Sequence, residues 1–261
     1  MQRQRYSTNA FFMSCLVPGW GLVYVGRVKW ALRVAGFLYA GVIMAGALGL
    51  IATPKGVYAL LAFIVLVKLC SAIAAAIIAR KHNDSTSLPT MRFHIVYVAS
   101  SIMLTLTLFY PLRSTLLGYQ LYSIPSSSMR PTLEIGDYIV KNSRYSTPKV
   151  GDIVVYRFNG IEATKRVAGV PGDTLAIVNA EVINNGENLG LFFAPPGSVM
   201  DARSQHLSPV KVEPDHVYLL GDNRDSSNDS RFMGQVPLKD ITGRVTGIWL
   251  SDDHSRMGTN F

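Results

Sequence analysis

Residues 123–132 read Ser123-Ile124-Pro125-Ser126-Ser127-Ser128-Met129-Arg130-Pro131-Thr132, and they divide the chain. Long apolar segments precede them, and short apolar alternations punctuated by Gly-Asp pairs follow. Pro125 and Pro131 each remove a backbone donor and fix φ, so three serines and a methionine are held in an extended loop rather than a helix. Such a loop is either a linker or a platform that presents a hydroxyl, and the residues downstream have to decide which.

Charge separates the two sides. From Met1 to Gln120 there are eleven Lys/Arg and one acid, Asp84, whereas Leu121 to Phe261 carries fourteen Lys/Arg and sixteen Asp/Glu. A nucleic-acid binder would be expected to carry its basic patch on the soluble part, which here is slightly acidic, so nucleic acid is not the expected partner. The basic excess belongs to the apolar half and reads as topogenic. Both cysteines, Cys15 and Cys70, lie in apolar segments, so the soluble half can assemble neither a disulfide framework nor a cysteine zinc site. That is compatible with an oxidising, extracytoplasmic location.

Residues 1–120 read as a transmembrane anchor region. Three segments, about 30–52, 57–78 and 94–117, approach the ~20 residues needed to cross a bilayer core. An earlier apolar run, 10–26, is broken by Pro18, Gly19 and Gly21, and lacks a small-residue cleavage site, so it reads as a retained interfacial or re-entrant element rather than a secretory signal. Arg3, Arg5, Arg27 and Lys29 precede the first span, with Arg33 just inside its start, and Arg80, Lys81 and Arg92 lie between the second and third. The intervening connector offers only Lys55. By the positive-inside rule the N-terminus and the 79–93 loop are cytoplasmic, and the residues after the third span are outside. Lys68, inside the second span with no acid to pair with, is expected to snorkel or to contact helix carbonyls rather than to do chemistry.

The soluble half reads as a mainly β domain over residues 121–250. Gly136-Asp137, Gly151-Asp152 and Gly172-Asp173 each precede an apolar alternation. Asn159-Gly160 joins Asp152–Phe158 to Ile161–Ala168, the pairing that a type I′ hairpin turn favours. Further strands are expected at His216–Leu220 and Arg244–Leu250. Residues 189–215, with four prolines, read as a long surface loop, and 251–261 as a flexible tail.

On the second hairpin strand, period two puts Ile161, Ala163, Lys165 and Val167 on one face, and Glu162, Thr164 and Arg166 on the other. Two readings of Lys165 stay open: it snorkels, or its face is buried and desolvation leaves the neutral amine that a general base for a serine hydroxyl must be. Arg166, on the other face, is expected to tolerate lysine. The run Gly221-Asp222-Asn223-Arg224-Asp225-Ser226-Ser227-Asn228-Asp229-Ser230-Arg231 is either a solvated loop or a buried ion-pair network bracing a site. Ser-x-x-Lys occurs at 146–149 and 208–211 without the companion motifs of penicillin-recognising enzymes. His206, His216 and His254 carry no motif that would tie any of them to a serine.

Taken in order, these boxes resemble the type I signal peptidases, membrane-anchored serine peptidases that use a Ser-Lys dyad. Ile124 to Leu133 is similar to the nucleophile box, Gly136 to Val140 to the strand box, Lys165 to Asp173 to the general-base box, and Gly221 to Arg231 to the last. The resemblance covers about half the chain. It implies Ser128 as nucleophile and Lys165 as general base, with Ser126 donating its hydroxyl to the oxyanion beside the Ser128 backbone N–H. Ser227 would orient Lys165, while Asp222, Asp229 and Arg231 fall at bracing positions. In the family, shallow apolar pockets select small side chains, and Ile124, Pro125, Met129, Leu133 and Ala163 are the expected contributors here. The sequence departs from the family at Ser127, often glycine in the bacterial enzymes, at Ala163-Thr164, often bulkier, and in its enlarged N-terminal region with an unexplained Pro18-to-Gly26 run.

The expected fold is therefore an α-helical membrane anchor of about three spans plus a mainly β extracytoplasmic domain of antiparallel sheets, signal-peptidase-like. The resemblance implies acyl transfer without metal or cofactor. Its expected partners are the signal peptides of exported pre-proteins and the lipid bilayer. Its expected location is the inner (plasma) membrane, multi-pass, with the catalytic domain on the periplasmic side. The alternatives are a specialised peptidase for one substrate such as a pilin, and a catalytically inactive membrane scaffold.

Overall fold

A computed structural model describes residues 6–81 and 88–261, so Arg3, Arg5, Asp84 and the centre of the 79–93 loop lie outside the described residues. The chain divides into two compact units, residues 1–51 with 55–118, and residues 52–54 with 119–261.

The first unit is helical. Helix α1 is Ser7–Leu16, α2 Trp20–Tyr24, α3 Val28–Ala47, α4 Pro54–Lys81 and α5 Met91–Phe109. Helices α3, α4 and α5, of 20, 28 and 19 residues, are long and apolar enough to cross a membrane, and no more than 28% of any of their apolar windows is buried. The third of these ends earlier than the sequence suggests. Pro111 has no N–H with which to continue the helical ladder and disfavours helical backbone at Tyr110, which leaves the α region, so residues 113–117 form a separate turn.

The Pro18-to-Gly26 run has a packing explanation. Gly19 sits at φ 76°, where a side chain is strained, and turns α1 into α2. At Gly21 an added Cβ would stand 1.9 Å from the Ala10 carbonyl oxygen, so only glycine lets the two short helices touch. The Tyr97 hydroxyl closes the turn by donating to the carbonyls of Pro18 at 2.8 Å and Ala31 at 3.2 Å. Lys68 Nζ donates to the Leu16 carbonyl at 3.0 Å, satisfying an orphan acceptor at the end of α1.

The second unit is built from eleven strands in two antiparallel sheets. These are β1 Tyr119–Ser123, β2 Tyr138–Asn142, β3 Ile153–Phe158, β4 Ile161–Gly169, β5 Thr174–Val178, β6 Glu181–Asn184, β7 Glu187–Asn188, β8 Leu207–Lys211, β9 His216–Leu220, β10 Val236–Pro237 and β11 Ile241–Leu250. A seven-stranded sheet runs β1-β2-β11-β3-β4-β9-β10, and a four-stranded sheet β7-β6-β5-β8. Asn159 and Gly160 both have positive φ, 49° and 79°, as the β3–β4 hairpin requires. Alternation along β3 sends Ile153 and Val155 into one apolar cluster, with Ile124, Met129, Leu133, Ile139, Val245 and Ile248. Val154 and Tyr156 go into another, with Val167, Val217 and Leu219.

Two expectations are corrected. Residues 189–215 are not wholly loop, because 207–211 is β8. It lies at the edge of the smaller sheet, where Pro209 forfeits no ladder bond. Residues 251–261 are not a free tail. The Gly258 N–H donates to Ile248 O, the Ile248 N–H to Thr259 O and the Phe261 N–H to Thr246 O, and Phe261 packs on the Ile124 cluster.

Candidate active site

The Ser123–Thr132 stretch is held at both ends. Ile124 donates its N–H to Asp137 O at 2.8 Å and accepts from Gly136 N–H at 3.0 Å, while Leu133 N–H bonds Met129 O at 2.9 Å. Met129 and Leu133, 2% and 0% exposed, plug the loop into the sheet. Asn223 clamps the middle, since its backbone N–H donates to Ser128 O at 3.1 Å and its side-chain amide to Ser127 O at 3.0 Å. The loop is thus a rigid platform, not a linker.

Ser128 Oγ lies 2.7 Å from Lys165 Nζ, hydrogen bonded to it, and Lys165 also donates to Thr164 O at 3.1 Å. Both side chains are buried, with Lys165 5% exposed. Burial pushes the Lys165 ammonium below its ordinary value, and the charges of Asp229 and Asp222 oppose this only in part. Those two carboxylates are already engaged. Arg166 donates to both oxygens of Asp222, at 2.8 and 2.6 Å, and Arg231 to both oxygens of Asp229, at 2.9 and 3.0 Å. Each aspartate is neutralised by its own arginine, which weakens its hold on a proton at Lys165.

The remaining sequence-predicted residues fall as follows. Ser227 Oγ donates to Asp229 Oδ2 at 2.8 Å, beside the Gly221 N–H that reaches the same oxygen, so Ser227 is bonded to Asp229 rather than to Lys165. At Gly221 an added Cβ would lie 2.1 Å from Ser227 Oγ and 2.6 Å from Ser128 O, which places the 221–231 run against the Ser123–Thr132 loop. The exposed Ser126 side chain accepts from the Ser128 N–H at 3.3 Å, so the two groups assigned to the oxyanion lie together. Ile124, Met129 and Leu133 share one cluster, and Pro125 is exposed beside it. Ala163 does not join them; it packs on the Val154–Tyr156 face, and Thr164, paired with Val155, takes the position expected of it. Ile161 is 72% exposed and does not help to bury Lys165.

Sequence reasoning missed three residues. Arg166 is not an exposed neighbour: it is 4% exposed, clamped to Asp222, bonded to Gly151 O at 2.7 Å and stacked 3.6 Å over the Phe193 ring. Asn223 and Arg224 stood in the polar run without a role. Arg224, fully buried, donates to the carbonyls of Gly221, Leu191 and Phe192, and burial pushes it down to about 10. The alternation of Arg224 and Arg231 with aspartates was the signal, but only the fold distinguishes charges that brace from charges that are solvated. None of the three histidines in the soluble half hydrogen-bonds to Ser128 among the described residues; His216 is tied to Pro214 O.

One open edge adjoins this pair. Strand β3 pairs β4 from Ile161 to Arg166, but β9 pairs it only from Arg166 to Gly169. Among the described residues no strand occupies the other side of 161–165, which ends at Lys165.

A serine hydroxyl paired to a buried amine, on an antiparallel β platform, defines a serine–lysine type of site. The signal peptidase, peptidase S26, family model matches residues 92–250. Signal peptidase I of Pseudomonas aeruginosa is 31% identical over 182 residues, covering 50% of this chain and 64% of that protein. The signal peptidase I of Leptolyngbya laminosa is 36% identical over 144 residues, 48% of this chain and 66% of its own. That of Bacillus caldolyticus is 32% identical over 162 residues, 57% and 85%. The chain belongs to the signal peptidase family, peptidase S26. The match spans about two thirds of the first of these relatives, and it leaves the helices before residue 92 outside the family region.

Proposed function

We propose that this protein is a membrane-anchored serine endopeptidase that removes signal peptides from exported pre-proteins, with Ser128 as nucleophile and Lys165 as general base. The 2.7 Å Ser128–Lys165 contact inside a desolvated site carries the reading. Lys165, neutral, accepts the Ser128 proton as Oγ attacks the scissile carbonyl. Charge developing on the scissile carbonyl oxygen meets the Ser128 N–H and the Ser126 hydroxyl, once these release each other. The Lys165 ammonium passes its proton to the departing amine, leaving an ester on Ser128. Lys165 then takes a proton from a water, which attacks the ester; as the C–Oγ bond breaks, Lys165 returns that proton to Ser128 Oγ and the new carboxylate leaves. Asp222, Asp229 and Arg231 hold the frame, and Ser227 acts through Asp229.

The substrate pairs as an added strand along the open 161–165 edge of β4, which delivers its carbonyl to Ser128. Alternate side chains then face the Ile124–Met129 surface. Leu133 fills the space behind that surface, which accepts small residues before the cut and two further upstream. Helices α3, α4 and α5 span the membrane. Arg27, Lys29, Arg33, Arg80 and Arg92 lie at the cytoplasmic ends, and the β unit lies outside.

The test is to incubate the full-length protein in detergent with several unrelated pre-proteins and sequence the new N-termini. Cleavage after small residues, lost in Ser128→Ala, is expected. Efficient cutting after leucine or arginine, or equal cutting by Ser128→Ala, refutes the assignment.

A further inference from the structure

Residues 191–194 form a tight turn, closed by the Ala194 N–H donating to Leu191 O at 3.2 Å. Its two central residues are Phe192 and Phe193, at φ 48° and 66°. Positive φ at both centres is the type I′ requirement, which Asn-Gly meets readily and two bulky aromatics meet only under strain. The fold holds the turn against that strain. The fully buried Arg224 donates to Leu191 O at 3.0 Å and to Phe192 O at 3.2 Å. Phe192 is buried among Ala168, Leu175, Tyr218 and Leu220, which anchors the turn from inside. Phe193 goes the other way. It is 53% exposed, its ring centroid lies 3.6 Å from the Arg166 guanidinium, and it meets the Phe192 ring edge-on. Packing needs only Phe192, and Asn or Gly at 193 would relieve the backbone, so the strain is kept for the exposed ring.

The place of this ring identifies what it meets. Arg166 follows Lys165 in β4, shares a face with Thr164, and reaches Thr132 Oγ1 in the Ser123–Thr132 loop at 3.4 Å. The β4 edge is open over 161–165 and is taken by β9 from Arg166 onward. A substrate whose residues before the cut pair along the open edge, with its carbonyl at Ser128, therefore loses its sheet partner just past the cut. It has to turn off the edge where Arg166 carries Phe193. We infer that Phe193 receives an apolar side chain, best an aromatic one, from the first few residues after the cut, so that the site selects on both sides of the scissile bond. The inference rests on the peptidase reading and on the placement of substrate along β4. The ring is prepared for this contact: stacking on Arg166, itself held by Asp222, restricts its rotamers before substrate arrives, so little entropy is lost on binding.

The test uses the full-length chain in detergent with pre-proteins that differ only at the first few positions after the cut, each in turn Phe, Leu, Ser or Asp. At one of these positions kcat/KM should be about tenfold higher for Phe than for Ser. Phe193→Asn, which accepts positive φ but has no ring, should bring that ratio to about one, and Phe193→Tyr should keep it. A parent enzyme indifferent to the residues after the cut, or an Asn variant that keeps the parent's ratio, overturns the inference. An equal loss on every substrate would make Phe193 a support for Arg166, and an equal loss seen only in lipid vesicles would make it a bilayer contact; either result also overturns it. If the Asn variant fails to fold, photocrosslinking decides. A pre-protein carrying benzoylphenylalanine at the preferred position is irradiated with the Ser128→Ala chain; an adduct on residues 191–194 is expected, and its absence there overturns the inference. Cleavage after small residues without selection beyond the cut defeats only Phe193, whereas no cleavage of any pre-protein defeats the peptidase reading and the inference with it.

Discussion

Arg166 and Asp222 form a fully buried bidentate pair, with two hydrogen bonds of 2.8 and 2.6 Å, one residue beyond Lys165 in β4. The pair ties β4 to the 221–231 run at the point where β9 begins to pair with it. Arg166→Lys is therefore not conservative, because a point-charge ammonium replaces a fork that also reaches Gly151 O. Breaking a buried pair costs about 3–5 kcal/mol, which lowers Tm by roughly 10 °C in a chain of this size. Arg166→Lys and Asp222→Asn should both lower Tm and activity, and the double change Arg166→Met with Asp222→Leu should recover much of the Tm. Thermal unfolding of the detergent-solubilised chain measures this; an unchanged Tm in Arg166→Lys refutes it.

Asn223 is expected to act on rate rather than on substrate binding. Its amide holds Ser127 O at 3.0 Å while its backbone holds Ser128 O, so Asn223→Ala removes the first of these two clamps and keeps the second, loosening the loop at Ser127 without touching the Ser128–Lys165 contact. A loss of kcat of about 10- to 100-fold at little-changed KM is the expected result of losing such positioning. A rise in KM alone would mean that Asn223 contacts substrate instead.

Residues near the end of the sequence should matter to the Ser123–Thr132 loop. Arg256 donates to Thr132 O at 3.0 Å and pairs with buried Asp137 at 2.7 Å. Burial pushes the Asp137 carboxyl up, but hydrogen bonds from Arg256, the Glu134 N–H and Ser251 outweigh it and hold it below the usual range. A depressed carboxylate stabilises the fold above its unfolded value near 3.8 and loses that contribution as pH falls through the lower folded value. Arg256→Gln should thus lower Tm at pH 7 and flatten the acid limb of the Tm–pH curve. Equal acid limbs in the two proteins would overturn this.

The sequence discloses what local chemistry dictates. Asn159-Gly160 forces its hairpin, Gly-Asp pairs begin strands, and the apolar lengths of α3 to α5 are plain in the composition. Burial set by distant segments is not legible. Period two alone cannot tell that β4 is solvated at Ile161 and buried on both faces from Lys165 onward, because β9 covers it only from Arg166. Nor can it tell that 207–211 finds β5, or that the last eleven residues lie against β11. The Ser128–Lys165 pairing, by contrast, was accessible through family resemblance, while Thr164 facing the loop cluster and Asn223 clamping it needed coordinates.

Lys165 should trade stability for chemistry. Its folded value lies below the ordinary 10.5, chiefly through burial, so between those two values the unfolded chain binds more protons than the folded one. Stability conferred by deprotonating Lys165 therefore rises with pH across that window, is complete above 10.5, and is lost below the folded value. Lys165→Met removes the buried charge and should raise Tm at neutral pH, with the gain shrinking as pH approaches 10.5. Cleavage should rise with pH to an inflection below 10.5, reporting the same proton. Lys165→Arg keeps a charge that never becomes a neutral amine, so it should be as inactive as Lys165→Met and less stable than either protein. Rates on a pre-protein and Tm values, taken across pH 6 to 11 on the full-length chain, decide the matter. Near-normal cleavage by Lys165→Arg, or a Tm gain in Lys165→Met that does not change with pH, would remove Lys165 as the base.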